Sequence, residues 1–164
     1  MDKLYPISRR AHEVRAQLVA GAERLFPHGS DIHYSEVRPY YRGPLDRFPY
    51  TLDCSGAVIR LYEDAGAPDP SGMGFDGYGN TDTILAHLPP VSREQARRGD
   101  LVLFHVGNDG RHVSMLLEVP RYHKDPWVFS QGSEYGPLHI PLSSEVRYHT
   151  GQTVTFLLGV PRDL

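Results

Sequence analysis

The stretch DCSGAVIRLYEDAG at residues 53–66 decides how this chain is expected to fold. Asp53 is a residue type that caps the N-termini of helices, and Gly66 is the type that most often ends them. The apolar residues between them recur along one stripe, which predicts a helix that packs against a core. Cys54, directly after the cap, is the single cysteine among the 164 residues.

The other segments before residue 100 predict further helices and a long loop. Apolar residues between positions 8 and 26 recur at three- and four-residue steps, with Arg and Glu on the other face, so a first helix is expected there. A short helix is expected over 81–88, capped by Thr81 and closed by two prolines. The segment 32–50 is rich in Tyr, Arg and Pro and predicts an extended loop that forms one wall of a cleft.

Five apolar runs follow residue 99, separated by turn signals such as NDG and YGP: LVLFHV, HVSMLLEV, WVFS, LHIPL and TVTFLLGV. They predict an antiparallel sheet of about five or six strands. Because the helical segments come first, the expected fold class is α+β, with the N-terminal helices packed on one side of the C-terminal sheet. A chain of this length suits one core, so residues 1–164 are expected to form a single domain.

The composition argues against several classes of partner. The formal net charge is -3 and there is no run of Lys or Arg, so no nucleic-acid partner is expected. No apolar stretch reaches membrane-spanning length, and the N-terminus lacks the features of a secretory signal. We therefore expect no membrane partner and synthesis in the cytoplasm without a signal peptide. A single cysteine excludes an intramolecular disulfide.

Cys54 is a candidate nucleophile. A thiol attacks as its thiolate, and both a helix N-terminus and a nearby imidazolium favour that charged form. The predicted helix supplies the first condition, and the small neighbours Ser55 and Gly56 allow a substrate backbone to come close. The alternative is that Cys54 is a small buried core residue, as isolated cysteines most often are.

His112 is the candidate base for this thiol. It opens an apolar strand directly after a turn, so its ring is expected at the rim of the sheet, facing the start of the cysteine helix. His105, which ends the preceding strand, is the competing candidate. In such sites an oxygen acceptor on the next strand orients the imidazole, and Gln131 has that position. The predicted catalytic set is therefore Cys54, His112 and Gln131.

Nine histidines raise the question of a metal site. The sequence contains no HExxH, no CxxC and no pair of histidines at helical spacing near a carboxylate. We expect no bound metal and no cofactor.

With these residues in order, the chain resembles the NlpC family of papain-like peptidoglycan cysteine peptidases. The shared motifs are DCSG at 53–56, GDLVLF at 99–104 and HV at 112–113. It is still more similar to the peptidase domains of actinobacteriophage endolysins and virion-associated lysins, in the stretches IHYSEVRP, AGAPDP, GYGNTDT and QGSEYGP.

The resemblance implies a papain-like fold and hydrolysis of an amide in the peptide stem of peptidoglycan, commonly the bond between D-glutamate and a diamino acid. Cys54 would attack the carbonyl, His112 would move the proton and Gln131 would orient His112. The hydroxyl of Tyr34 would support the oxyanion together with the Cys54 amide. The remaining candidates for oxyanion or substrate contacts are Asp53, Ser55, Arg38 and Glu134.

One position departs from the phage subgroup, which carries SHGSE where this chain has SQGSE with Gln131. A glutamine oxygen can still accept the ring proton, but the departure motivates an alternative: a virion structural or docking protein that keeps the fold with weak or lost catalysis. A third possibility is an acyl transferase that uses the same chemistry on another substrate.

The resemblance also implies partners and a place of action. Peptidoglycan is the expected partner, with other virion or tail proteins as further candidates. The protein is expected to be made in the host cytoplasm and to act on the cell wall after release by a partner or as part of a virion.

Overall fold

A five-stranded antiparallel sheet forms the centre of the fold in the computed structural model, which describes residues 3–133 and 136–164. The strands and helices follow one another as α1 (Arg9–Leu25), β1 (Ile32–His33), β2 (Tyr50–Thr51), α2 (Cys54–Ala65), α3 (Thr81–His87), β3 (Leu101–Val106), β4 (Asp109–Leu116), β5 (Trp127–Ser130), β6 (Leu138–Pro141), α4 (Leu142–Tyr148) and β7 (Thr153–Leu157). The strand order in the sheet is β6-β5-β4-β3-β7, and β1 and β2 form a separate parallel pair. The expected α+β class with an antiparallel sheet is confirmed.

The helices begin and end at residues whose side chains or backbones suit those positions. The Ser8 side chain accepts a hydrogen bond of 2.9 Å from a first-turn amide of α1, and Asp53 accepts one of 2.7 Å at the start of α2. Gly66 ends α2 with φ 74°, in the left-handed region that favours glycine. The cap of α3 is Asn80 and not Thr81 as expected. No helix in the described ranges is both long and apolar enough to cross a membrane.

The two faces of the sheet pack against different apolar clusters, because side chains alternate along each strand. One cluster joins the buried residues of α1 and α2, including Cys54, to the strand residues Leu101, Leu103, Val113, Met115 and Phe129. A smaller cluster on the other face joins Val102, Phe104, Leu116 and Val128 to Leu142 of α4. The N-terminal helices therefore lie on one side of the sheet, as expected.

Helix α4 covers part of the opposite face and was not expected. The run LHIPL predicted a strand, but β6 ends at Pro141 and Leu142 begins the helix. This helix has seven residues and no side-chain cap, so the local signals that mark α1 and α2 are missing here.

The Arg15 side chain is buried, whereas the sequence pattern predicted the arginines of α1 on the face turned away from the core. Its side chain is 1% exposed and lies 2.9 Å from the Asp100 carboxylate, itself fully buried. The guanidinium also donates to the carbonyl oxygens of Arg98 and Val160. Arg15 therefore joins α1 to the segment before β3 and to the segment after β7.

Candidate active site

Cys54 is the first residue of α2, and its side chain lies at the positive end of that helix. The residue is 5% exposed, and Asp53, which caps the helix, is 7% exposed. The Asp53 carboxylate accepts from the Gly56 amide, so one of its oxygens is turned back onto the helix. The sulfur therefore has a fixed position at the end of the helix, next to a carboxylate.

His112 lies on β4, beyond the point where β4 and β5 separate. In the described ranges the ladder between these strands includes Met115 and Leu116 of β4, so His112 stands in the opening between them. The Cys54 side chain lies close enough to His112 to raise the pKa of its ring. The structure thus brings together the predicted nucleophile and the predicted base.

The Nε2 atom of His112 faces a carboxylate and two hydroxyls on the side away from Cys54. It lies 3.0 Å from Oε1 of Glu145 in α4, 3.0 Å from Ser130 Oγ and 3.2 Å from Ser114 Oγ. Ser114 also donates to Glu145 Oε1 at 2.7 Å, which holds the carboxylate in place. Because Nε2 is occupied in this way, Nδ1 is the ring nitrogen available to Cys54.

The surroundings of His112 stabilise its protonated form. Burial disfavours the charged ring, but the hydrogen bonds and negative charges of Cys54 and Glu145 outweigh burial and raise the pKa of His112 to about 10. Burial likewise disfavours the Glu145 carboxylate, but the hydrogen bond and charge of His112, with the two serine hydroxyls, lower the pKa of Glu145 to about 2. The pair is therefore an imidazolium and a carboxylate at neutral pH.

In the structure Gln131 is not hydrogen-bonded to His112, and this differs from the contact that the sequence predicts. Its side-chain amide donates to the carbonyl oxygen of Leu52 at 3.3 Å. Among the described residues nothing donates to its Oε1, although Gln131 is only 1% exposed. Adjacent strand residues point to opposite faces, so Ser130 and not Gln131 is turned toward His112. Gln131 instead supports the backbone two residues before Cys54.

Tyr34 lies near the predicted nucleophile but has another hydrogen-bond partner. Its hydroxyl donates to Glu36 Oε1 at 3.0 Å. Burial, followed by the negative charge of Cys54, raises the pKa of Tyr34 well above its ordinary value. The phenol therefore stays protonated and remains a hydrogen-bond donor.

Three of the remaining predicted contacts, Arg38, Asp53 and Ser55, bond to one another at the start of α2. Arg38 donates to the Asp53 carboxylate at 2.9 Å and to Ser55 Oγ at 3.0 Å. Glu134 lies outside the described residues. The competing base, His105, is bound to Gly107 O and Thr155 Oγ1 at the β7 side of the sheet.

A profile of the NlpC/P60 family matches residues 37–145, about two thirds of the chain, and this span includes Cys54 and His112. The chain belongs to the NlpC/P60 family. It is 32% identical over 80 residues to a protein described as probable endopeptidase p60 from Listeria grayi. That match covers 49% of this chain and 14% of the Listeria protein, so the chain spans a small part of this relative's length.

Solved NlpC/P60 structures have the same fold. The P60 domain of an antigen from Mycobacterium avium subspecies paratuberculosis superposes with a TM-score of 0.60 and 15% identity, over 92% of this chain and 98% of that domain. RipD from Mycobacterium tuberculosis, described as a non-catalytic NlpC/P60 domain protein adapted to peptidoglycan binding, has a TM-score of 0.51 and 16% identity. Its match covers 88% of this chain and 96% of RipD. The NlpC-type fold expected from the sequence is confirmed, and the fold alone does not decide catalysis.

Glu145 is the residue of this site that sequence reasoning missed. It is the last residue of the family match, and it is 3% exposed. The available signal was helical spacing: Leu142, Glu145 and His149 recur at steps of three and four, which places them on one face of a helix. A carboxylate on the buried face of a helix requires a partner, and here the partner is His112.

His149 completes a stack of rings behind the site. Its ring lies parallel to that of His112, with centroids 4.8 Å apart and planes 12° apart, and it also stacks on Phe104. Among the described residues, His112, Glu145 and His149 offer ligand atoms within 4.8 Å of one another and are the group that could hold a metal. A single ion requires ring nitrogens that converge on one point, whereas these rings are stacked. The arrangement suits a hydrogen-bonded ion pair better than a metal centre.

Proposed function

We propose that this NlpC/P60 protein is a cysteine peptidase that hydrolyses an amide bond in the peptide stem of peptidoglycan. The observation that carries the proposal is His112, which lies beside Cys54 and whose Nε2 is 3.0 Å from Oε1 of Glu145. A nucleophile, a base and a group that orients the base are the three parts that such chemistry needs. All three lie in one buried cluster.

The geometry supports a two-step reaction. The Cys54 thiolate attacks the carbonyl carbon, and the proton on His112 Nδ1 passes to the leaving amine as the C–N bond breaks. This leaves a thioester on Cys54. A water molecule then attacks the thioester, gives one proton to His112 and releases the new carboxyl group as the C–S bond breaks. Glu145 stabilises the imidazolium through both steps without leaving its serine hydrogen bonds.

The negative oxygen that forms in each step requires hydrogen-bond donors. The Cys54 backbone amide at the start of α2 is one candidate, because first-turn amides have no partner within their helix. The Tyr34 hydroxyl is the other, and its raised pKa keeps the proton that it would donate. To act in this way, the hydroxyl would turn from Glu36 toward the substrate.

A groove of about 500 Å³ beside Tyr34 is the proposed position of the stem peptide. Its lining comes from the segment between α1 and β1, from β1 and the residue after it, and from the segment before β6, and includes Ser30, His33, Tyr34, Gly132, Ser133 and Pro137. Polar and small residues of this kind suit an extended peptide better than an apolar ligand. We further propose cleavage between D-glutamate and the diamino acid.

The sequence motifs shared with actinobacteriophage lysins support a phage origin, which we propose together with the place of action. In this proposal the enzyme is made in the host cytoplasm and reaches the wall after release by a partner or within a virion, where tail proteins would be its neighbours.

Glu145 is relevant to the alternative that the protein keeps the fold without catalysis. The reason for that alternative was Gln131, and the acceptor that Gln131 was expected to supply is present in Glu145.

The test is digestion of purified actinobacterial cell walls, with the products identified by mass spectrometry. We expect the wild type to release fragments with a new amino terminus on the diamino acid, and Cys54→Ala to release none. His112→Gln should lower the rate by about 100-fold or more, as expected for loss of a positioned acid–base group.

The matched control is His105→Gln, because His105 contacts β7 and not Cys54. We expect wild-type cleavage from this variant. Equal cleavage by Cys54→Ala, or equal losses from the two histidine variants, would contradict the proposed roles. Wall binding without any cleavage by the wild type would favour the non-catalytic alternative.

A further inference from the structure

Arg38 uses all of its hydrogen-bonding capacity within the protein. A guanidinium has five N–H donors. In this structure Nε donates to the Gly79 carbonyl at 3.0 Å, and Nη1 donates to the carbonyls of Glu36 and Val37 at 3.3 Å each. Nη2 donates to the Asp53 carboxylate at 2.9 Å and to the Ser55 hydroxyl at 3.0 Å.

These contacts argue against the sequence expectation that Arg38 holds the charged stem peptide. Binding of a substrate carboxylate would have to break the ion pair with Asp53 or the bonds to the loop carbonyls. The Arg38 side chain is 16% exposed, so most of it is already enclosed by these partners. We therefore look for the role of Arg38 in its contacts within the protein. Two of its partners, Asp53 and Ser55, directly precede and follow Cys54.

Several charged groups lie around the Cys54 thiol, and they define the electrostatic surroundings in which Arg38 acts. From β4 the thiol faces the His112 cation, with Glu145 behind it. The segment after β1 contributes Tyr34 and, bound to its hydroxyl, the Glu36 carboxylate. Asp53, which directly precedes Cys54, adds a second carboxylate.

A thiolate at this position would be repelled by the Asp53 carboxylate, since like charges disfavour ionisation. The same carboxylate caps α2 by accepting from the Gly56 amide, so its position beside the thiol is fixed. Arg38 places a permanent positive charge 2.9 Å from this carboxylate, and Ser55 Oγ also bonds to it at 3.2 Å. The cap is thereby kept with a positive charge in direct contact with it.

We propose that Arg38 is a positioning residue that neutralises Asp53, so that the carboxylate caps the cysteine helix without opposing the Cys54 thiolate. Its remaining bonds join the segment that carries Tyr34 to the start of α2 and to the Gly79 loop. The inference rests on the proposed function, because it assigns Arg38 to the same thiol chemistry.

The test compares the rate of Cys54 alkylation by iodoacetamide between pH 5 and pH 9 in four proteins: wild type, Arg38→Gln, Asp53→Asn and the double variant. Alkylation reports the thiolate and needs no cell-wall substrate. Asn is also a good helix cap, so Asp53→Asn removes the charge and keeps the start of α2. Circular dichroism and thermal unfolding identify any variant that does not fold.

We expect Arg38→Gln to shift the pH midpoint of alkylation upward by about 1 unit, which is the lower end of the effect of one nearby charge. The double variant should return close to the wild-type midpoint, because the carboxylate that Arg38 neutralises is then absent. Arg38→Lys keeps the charge with fewer hydrogen bonds and should lie between wild type and Arg38→Gln. If Arg38→Gln fails to fold, the pH midpoint of alkylation is compared between Arg38→Lys and the double variant Arg38→Lys/Asp53→Asn instead.

An unchanged midpoint in Arg38→Gln, or a double variant shifted as far as Arg38→Gln, would overturn the proposal. These outcomes are separate from failure of the proposed function. If the wild type alkylates at mildly acidic pH but releases no wall fragments, the substrate assignment fails while the role of Arg38 is still decided by the variants.

Discussion

Buried charge occurs in two regions of this molecule, and the two are built differently. In the middle of the fold, Arg15 and Asp100 face each other at 2.9 Å, and both are almost completely buried. Within β4, His112 faces Glu145 of α4 at 3.0 Å, and both are also buried. The first pair contains an arginine, whose charge is permanent. The second contains a histidine, whose charge can be gained and lost.

The partners of each cation show what this difference means. Arg15 donates to the backbone at Arg98 and Val160, so its bonds join segments of the chain. The hydrogen bonds of His112 go to the side chains of Ser130 and Glu145, and the thiol of Cys54 lies beside its ring. A permanent charge bound to backbone holds the fold together, whereas a titratable charge held by side chains is suited to moving a proton.

The largest expected effect comes from breaking the pair in the middle of the fold. Arg15→Leu leaves the Asp100 carboxylate buried without its cation, so we expect the free energy of unfolding to fall by about 3–5 kcal/mol. Urea denaturation measures this value. The control is Arg9→Leu in the same helix, whose side chain is 93% exposed and pairs only with Glu13; it should change stability by less than about 0.5 kcal/mol. Similar losses in the two variants would contradict the structural role of Arg15.

The second expected effect concerns the pair at the active site. Glu145→Gln removes the charge that stabilises the His112 imidazolium, so we expect cell-wall cleavage to slow by about 100-fold, the lower end of what a positioned acid–base group contributes. The pKa of His112 should fall from about 10, because one of the two negative groups that raise it is gone. A pH titration of the His112 ring signals by NMR measures this shift.

The matched variant for this experiment is Gln131→Met, which removes the residue that the sequence assigned to the same role. Because Gln131 bonds to the Leu52 carbonyl and not to His112, the pKa of His112 should be unchanged in it. A shift in Gln131→Met as large as that in Glu145→Gln would restore the sequence assignment.

The contrast between Cys54 and Glu145 explains how much of the site could be predicted. The start of α2 depends on neighbours in sequence, since Asp53 bonds within the next three residues and Gly66 adopts the backbone that ends the helix. Such local features can be read from one sequence. Glu145 and His112 are 33 residues apart in sequence, so their contact depends on the tertiary fold. Helix α4 also lacks a side-chain cap, so the sequence has no capping residue that marks its start.

The same reasoning covers the fold. The order of α1, α2, α3 and the five strands of the main sheet follows from local apolar patterns, and it was predicted with the correct antiparallel sheet, whereas β1, β2 and α4 were not predicted. The burial of Arg15 was not predicted, because an arginine on a helix is usually exposed and its partner, Asp100, is distant in sequence. Gln131 was assigned by position in a strand, yet which face a strand residue occupies depends on a register that the sequence does not display.

The smallest expected effect is a change in how stability depends on pH. The pKa of Glu145 is lowered from 4.5 to about 2, so its contribution to stability is present above pH 4.5 and is lost as the pH falls toward 2. The pKa of His112 is raised from 6.5 to about 10, so its contribution is present below pH 6.5 and is lost as the pH rises through 10. The stability difference between wild type and Glu145→Gln, measured by urea denaturation, should therefore be greatest between pH 4.5 and pH 6.5. Glu13→Gln, at an exposed ion pair, should show a nearly flat difference. A flat difference for Glu145→Gln as well would mean that the buried pair does not exist in solution, and the orienting role of Glu145 would fall with it.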